Sequence, residues 1–302
     1  MDEKEEEASI EEFMEAGRLG SKIREESRQL INIGEGVLDI AETIEGMIKE
    51  EGAEPAFPVN VSINSIAAHY TPEFEDKGTI GERDLVKIDL GVELNGALSD
   101  TAYTVDLSGE HEKLIEATEK GLERAIEVMK PGITTGEIGG VVEEVIRGYG
   151  FKPIANLTGH RISTGMLHTG IDIPSVRTED PYQLQVGEIY AVEPFATDGK
   201  GFVSDTDQVE IFSLYMPGRL RMRESRKLLN FIISHYGMLP FAERWLLKEF
   251  KSKLLLKNAL KEMLRMQVIK AYPVLKEAGN GLVSQTEHTI LIEEDGARVL
   301  TK

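Results

Sequence analysis

The sequence predicts an α/β fold built from two similar helix–helix–strand halves, and three observations carry that prediction. A faint repeat recurs at an offset of 98 residues: Ile40, Ile44, Ile48, Gly52 and Pro55 fall on Ile138, Val142, Ile146, Gly150 and Pro153. An Asn95-Gly96 pair separates two strand-like runs, the strongest short-range hairpin signal, because both turn residues must take positive φ. Between residues 213 and 271 the strand pattern gives way to helix-like stretches rich in Lys and Arg.

Taken in chain order, helical patterns near 10–31 and 113–130 precede the two repeated stretches. Apolar residues at i, i+4 and i+8 in those stretches mark amphipathic helices that pack on a sheet. Each leaves through Gly-x-x-Pro into an extended run. Carried further, the repeat sets His69 against His168, one residue out of register. A pseudo-two-fold between the halves would put these histidines on opposite sides of a shared cleft. The hairpin around Asn95-Gly96 follows the first half, and later strand patterns carry Glu193 and Glu287. In the 213–271 stretch, residues 225–236, 241–251 and 254–266 read as helices and 237–240 as a turn. A strand resumes over 268–275. Trp245, the one tryptophan, reads as core of this insert.

Composition narrows the classes. A chain of 302 residues can bury a sizeable core without staples, and the absence of cysteine removes disulfides and thiolate metal sites. Residues 1–7 are acidic with no apolar segment, so they do not read as a secretory signal. No apolar run approaches the ~20 residues of a membrane span. A soluble, cytoplasmic, monomeric protein is expected. The net charge of −19 is uneven: between 217 and 265 twelve Lys/Arg meet four acids, a local +8 that leaves −27 on the remainder. A basic insert on an acidic body suggests different partners for the two parts.

A two-residue turn would pair Leu94 with Ala97, so that Asp100 faces Gly91 and Asp89 faces Ala102. The two carboxylates then share one face of the pleat as diagonal neighbours, roughly 7–8 Å apart at Cα. Two such acids repel unless a cation sits between them. Alone, the pair is better explained by solvation, the usual state of aspartates near a hairpin. His160 follows an apolar stretch, however, and Glu193 and Glu287 sit in buried-looking strands, where an unpaired carboxylate costs several kcal/mol. Four acids and one imidazole form a hard-to-borderline donor set suited to Mn, Fe(II), Co or Zn. Their four negative charges balance two divalent cations. No cysteine and no Gly-x-Ser-x-Gly elbow offers a covalent nucleophile.

These residues make the chain resemble the methionine aminopeptidases, type 2 enzymes of the archaeal kind, along nearly its whole length. The specific pieces are Phe57-Pro58-Val59-Asn60, Ala67-Ala68-His69-Tyr70-Thr71-Pro72, the aspartate hairpin, Gly159-His160, Glu193-Pro194-Phe195 and Glu287-His288-Thr289. The resemblance implies a pita-bread fold, with helices backing a curved antiparallel sheet, over 1–212 and 272–302, and a winged-helix-like insert over 213–271. It implies that Asp89, Asp100, His160, Glu193 and Glu287 hold two divalent metals, with Asp100 and Glu287 bridging. Hydroxide activated between the metals would attack the scissile carbonyl, with Glu193 also shuttling the proton. His69 and His168 would contact the substrate and donate to the tetrahedral intermediate, and Phe57, Leu167 and Tyr272 would line the pocket for methionine. The implied substrates are nascent chains with an initiator Met and a small second residue, and the basic insert could touch the ribosome. His111 and His235 read as surface positions, and His288 as structural.

Two other readings compete. An Xaa-Pro aminopeptidase or prolidase would share the fold and a similar ligand set, but usually carries a large domain ahead of the catalytic one, whereas about 80 residues precede Asp89 here. A non-catalytic relative binding RNA or ribosomes would have lost metal ligands, whereas all five positions are filled.

Overall fold

Helix α1 (Ile10–Ser27) opens on a capping box in which Ser9 and Glu12 satisfy each other's backbone N–H groups. After it, α2 (Val37–Glu50) buries Ile40, Ile44 and Ile48. The second half repeats the plan. Helix α3 (Glu112–Val128) precedes α4 (Thr135–Gly148), which starts on a Thr134–Glu137 capping box and buries Ile138, Val142 and Ile146. Gly52 (φ 78°) and Gly150 (φ 87°) turn the chain out of α2 and α4. The short strands Glu54–Pro55 and Lys152–Pro153 follow them. The computed structural model describes residues 7–216 and 218–302; the acidic residues 1–6, read above as no secretory signal, lie outside the described residues.

Each half has its own core. One core joins α1 and α2 to strands Asn60–Ile63, Leu85–Leu94 and Ala97–Asp106. The other joins α3 and α4 to strands Ile189–Val192 and His288–Ile292. Strand Thr158–Ile162, which carries His160, pairs with Ile189–Val192. Every strand pairing given by the described residues is antiparallel, and the four sheets these pairings define make up the curled antiparallel layer of the pita-bread architecture. The halves are sutured where the hairpin meets the last strands, through a bridge between Ala102 and Glu287 and a Thr101 Oγ1 hydrogen bond to the Glu287 carbonyl at 2.9 Å.

Strands Val203–Leu214 and Ile269–Glu277 pair with each other and carry the chain into and out of the insert. There α5 (Arg223–His235), α6 (Glu243–Leu247) and α7 (Lys253–Arg265) pack around Leu228, Ile232, Phe241, Leu246, Leu260 and Met263. The helix expected over 241–251 is corrected at both ends. Phe241–Ala242 is a short strand paired with Ile211 and Phe212, and α6 stops at Leu247. Phe241 and Ala242 are fully buried, and a short apolar run carries no periodicity that separates a buried strand from a helix. Among the described residues no helix is long and apolar enough to cross a membrane.

Trp245 also does more than fill the insert. Its ring lies at the edge of that core, while its Nε1–H donates to Glu45 Oε2 of α2 at 2.9 Å. Beside it Arg244, 1% exposed, grips both oxygens of Glu45 and donates to Thr71 Oγ1 at 3.1 Å. The Val59 N–H donates to Glu45 as well. An ion pair this deep is strongly destabilising to break on one side only, because the surviving charge stays buried. Arg244→Met should therefore lower the unfolding free energy by about 3–5 kcal/mol, read from urea melts. Adding Glu45→Gln should recover much of that loss; a double variant no better than the single one would show that the two charges do not depend on each other.

Candidate metal centre

The register of the hairpin is the one the turn chemistry demands. Asn95 (φ 52°) and Gly96 (φ 85°) both take positive φ, Leu94 faces Ala97, Gly91 faces Asp100 and Ala102 faces Asp89. Gly91 leaves no empty space on that face. A Cβ at that position would collide with the Phe57 ring, so the missing side chain lets Phe57 reach the cavity beside the aspartates.

Glu193 and Glu287 are not inside strands but in the short breaks between them. Strands Ile189–Val192 and Phe195–Thr197 flank Glu193-Pro194, while Val283–Gln285 and His288–Ile292 flank Thr286-Glu287. Val192 pairs with His288, and Phe195 pairs with Gln285. The register is thus the same on both sides of the break, which sets Glu193 opposite Glu287. Proline cannot donate to a ladder, and the break frees both acids to turn into the cavity. The fifth residue, His160, sits on Thr158–Ile162, where Gly159 lets the strand press against the Ala191 carbonyl, a space a Cβ would fill.

The five side chains converge. Asp100, His160 and Glu287, all buried, bring one potential ligand atom each within 4.8 Å of one another. His160 Nε2 stands 3.5 Å from Asp100 Oδ2 and 3.7 Å from Glu193 Oε1. These separations exceed direct hydrogen bonds and suit groups around a shared cation. Oδ1 of Asp89, Oδ1 of Asp100 and both carboxylate oxygens of Glu287 are buried without a hydrogen-bond partner. Orphaned acceptors in such number call for a cation. The donor set fits a divalent metal.

Burial, and then the charges of the neighbouring acids, hold Asp89, Glu193 and Glu287 well above the usual carboxylate range. Burial likewise pushes Asp100 up to about 7. The same burial takes His160 down to about 4 and keeps its imidazole neutral, the state a metal ligand needs.

The centre opens into a cavity of about 490 Å³ lined by all ten residues singled out from the sequence: Phe57, His69, Asp89, Asp100, His160, Leu167, His168, Glu193, Tyr272 and Glu287. The two repeat-related histidines do meet at one cleft, on different walls. The His168 ring lies 3.8 Å from that of His160, while His69 packs edge-on against Tyr272 at 5.6 Å. His69 takes φ 63°, an unfavourable conformation for a residue with a side chain. Its Nδ1–H donates to the Pro273 carbonyl at 3.2 Å, and burial lowers the ring to about 4. With Nδ1 donating to that carbonyl, a neutral ring leaves Nε2 as its acceptor.

Sequence reasoning gave no role to Thr289, which accepts from the Asp100 N–H at 2.7 Å and donates to the Asp100 carbonyl at 2.8 Å. It also passed over Gln285, whose Nε2 reaches Glu193 Oε2 at 3.4 Å. Both lie within two residues of Glu287 in the sequence, but only the strand register reveals what they face. Pro240, Ile211, Lys270 and Ala271 line the cavity too, so the insert and its flanking strands supply one wall. His288 bonds Thr301 Oγ1 at 2.9 Å, while His111 immediately precedes α3 and His235 ends α5.

Comparison with known proteins gives a concordant result. The sequence pattern of metallopeptidase family M24 matches residues 11–237. A methionine aminopeptidase of Methanocaldococcus jannaschii is 46% identical over 292 residues, 97% of this chain and 98% of that one. Among solved structures, a thermophilic Arx1 superposes with a TM-score of 0.84 at 20% identity, over 96% of this chain and 90% of that one. The methionine aminopeptidase of Thermotoga maritima superposes with 0.70 at 23% identity, over 97% and 96%. At these identities the structural likenesses are likenesses of fold.

A carboxyl that keeps its proton longer in the folded than in the unfolded chain makes the folded state bind more protons. The stability these four acids contribute to the metal-free fold should therefore be lost as pH rises from about 4, where the unfolded groups ionise, through about 7 for Asp100, with the other three acids raised in the same direction. A bound divalent ion compensates the charges that appear, so the gap in Tm between metal-loaded and chelated protein should widen with pH across that window. Melts with Mn(II) and with chelator read this gap directly; one that stays flat or narrows contradicts the assignment.

Proposed function

The chain belongs to metallopeptidase family M24 and, within it, to the methionine aminopeptidases, and from that premise we propose that Asp89, Asp100, His160, Glu193 and Glu287 hold a pair of divalent metals. It is a metal-dependent hydrolase that removes N-terminal methionine. The observation that carries the site assignment is the convergence of four acids, three of them with unpartnered buried oxygens, on one neutral imidazole. Asp100 and Glu287 adjoin each other, and Glu287 also adjoins Asp89 and Glu193, so these two would sit in the middle of the ligand set. Mn, Fe(II), Co and Zn all suit this donor set. When bound, the metals supply Lewis acidity and activate water at neutral pH.

The chain's own groups do the rest. Glu193, facing the cavity and oriented by Gln285, accepts the proton of the attacking water and returns it to the leaving amine. His69, held by Pro273 and Tyr272, offers Nε2 as an acceptor to a substrate N–H, and His168, beside His160, supplies the donor to the developing oxyanion. Phe57, Leu167 and Tyr272 form the apolar walls that take the methionine side chain. Close approach of the scissile bond to the acids favours a small second residue. The substrates are nascent chains carrying an initiator methionine, met in the cytoplasm by a monomeric enzyme.

Residues 213–271 are read as a separate basic module. Eleven of the twelve Lys/Arg between 217 and 265 are exposed, Arg244 being the buried exception. Such a surface on an acidic body suits ribosomal phosphates.

Two experiments test this reading. With metal supplied, the wild-type protein should release Met from Met-Ala-Ser and leave Ala-Pro peptides uncut. Asp100→Asn should lose turnover by about 10³-fold or more while its circular dichroism stays that of the parent; a normal rate in that variant ends the site assignment. Co-sedimentation with ribosomes should fall steeply as salt rises, and association that is absent, or indifferent to salt, removes the ribosome contact.

A further inference from the structure

One fully buried cationic side chain has no part in the chemistry above. Lys87 lies two residues before Asp89 on strand Leu85–Leu94, with no exposed surface, and shares the pleat face of Asp89 and Gly91. Its Nζ donates to the main-chain carbonyl of Asn64 at 3.2 Å, and the same carbonyl accepts from the Val283 N–H at 3.1 Å. Asn64 takes φ 54° and is tied down around its periphery. Its Oδ1 accepts from the Leu85 N–H at 2.9 Å, its Nδ2 donates to Asp84 at 2.8 Å, and its own N–H donates to the Leu85 carbonyl at 2.9 Å. The cross-strand partners of Lys87 are Ser62 and Thr104. Ser62 Oγ is buried with no hydrogen-bond partner. Thr104 holds the Gln285 backbone by two hydrogen bonds, of 2.7 and 3.0 Å.

Three segments therefore meet at the Asn64 carbonyl that this amino group binds. One is the turn that leads through Ile66–Ala68 to His69. Another is the strand that carries Asp89. The third, Val283–Gln285, supplies the donor to Glu193 and continues to Glu287. We propose that Lys87 is a positioning residue for the peptidase reaction. By binding the Asn64 carbonyl it fixes the β-turn before His69 and the strand before Glu287 in one register, so that both walls of the cavity face the substrate together. An apolar residue of equal length could fill the volume but could not donate to that carbonyl. The inference rests on the site assignment proposed above.

The test compares Lys87→Met, which keeps length but removes the donor, with Lys87→Ala, which opens a polar-lined space. Both are assayed as metal-loaded full-length chains for kcat and KM, metal content and Tm, beside Asp100→Asn. Ammonium or methylammonium chloride is added against equal concentrations of sodium or tetramethylammonium chloride. The expected result is normal metal content, a kcat lower by about 10–100-fold with KM little changed, and saturable recovery by ammonium or methylammonium in Lys87→Ala alone. Tetramethylammonium, too bulky and lacking an N–H, should restore nothing. Lys87→Met within twofold of the parent would overturn the proposal. So would Lys87→Ala that ammonium and methylammonium leave unimproved, or variants that both fail to fold, since those outcomes belong to a structural lysine. An active Asp100→Asn would instead strike the site assignment, whatever Lys87 does.

Discussion

Antiparallel register is the constraint on which the rest of this molecule depends. Four carboxylates are brought to one buried point against their mutual repulsion, and only backbone pairing is strong and directional enough to hold them there. Asp89 and Asp100 are placed by a turn whose two residues both require positive φ. Glu193 and Glu287 are placed by a ladder that keeps its register across a proline-containing break. Thr101 and Thr289 then lock the two pairs together through backbone groups rather than through the acids, which leaves Oδ1 of Asp89, Oδ1 of Asp100 and both Glu287 oxygens free.

The magnitudes show why such an arrangement cannot stand as four bare anions. Each buried, unpaired carboxylate costs several kcal/mol, while a domain's whole net stability is about 5–15 kcal/mol. Protons or cations must therefore occupy the centre. The raised affinity of these acids for protons and the neutral state of His160 are two faces of the same burial. What destabilises the metal-free fold is what makes the centre a strong site for a divalent ion: the sheet stores electrostatic free energy that binding releases.

Much of this was legible from residues alone, and the reason is periodicity. The 98-residue repeat survives as two cores with matched helices and matched glycine exits, because helical spacing writes its period into the sequence. Asn95-Gly96 fixed a register, and a register fixes which side chains share a face. What stayed hidden lacks a local period. The breaks at Glu193 and Glu287 look like strand interior, since the apolar run Ile189–Val192 and the apolar pair Phe195 and Ala196 flank the first and strand-prone residues flank the second. Phe241 and Ala242 pass for the first turn of a helix, yet they pair with Ile211 and Phe212. The Arg244–Glu45 clamp joins residues almost 200 positions apart. The tautomer of His69 depends on a carbonyl at Pro273 that no motif contains.

The clamp also explains how an insert with its own core can take part in a site it does not chemically supply. The cavity wall formed by Ile211, Pro240, Lys270 and Ala271 belongs to strands and a turn that lead into the insert. Such a wall needs a fixed distance from the acids on the opposite side, and paired strands alone set direction better than distance, as the irregularities between Asp205 and Ile211 indicate. Arg244 and Trp245 supply the missing tie by docking α6 onto α2, whose other face packs on the core beneath the aspartate hairpin. The width of the pocket is therefore set jointly by the catalytic body and the insert, through one buried carboxylate that both of them need.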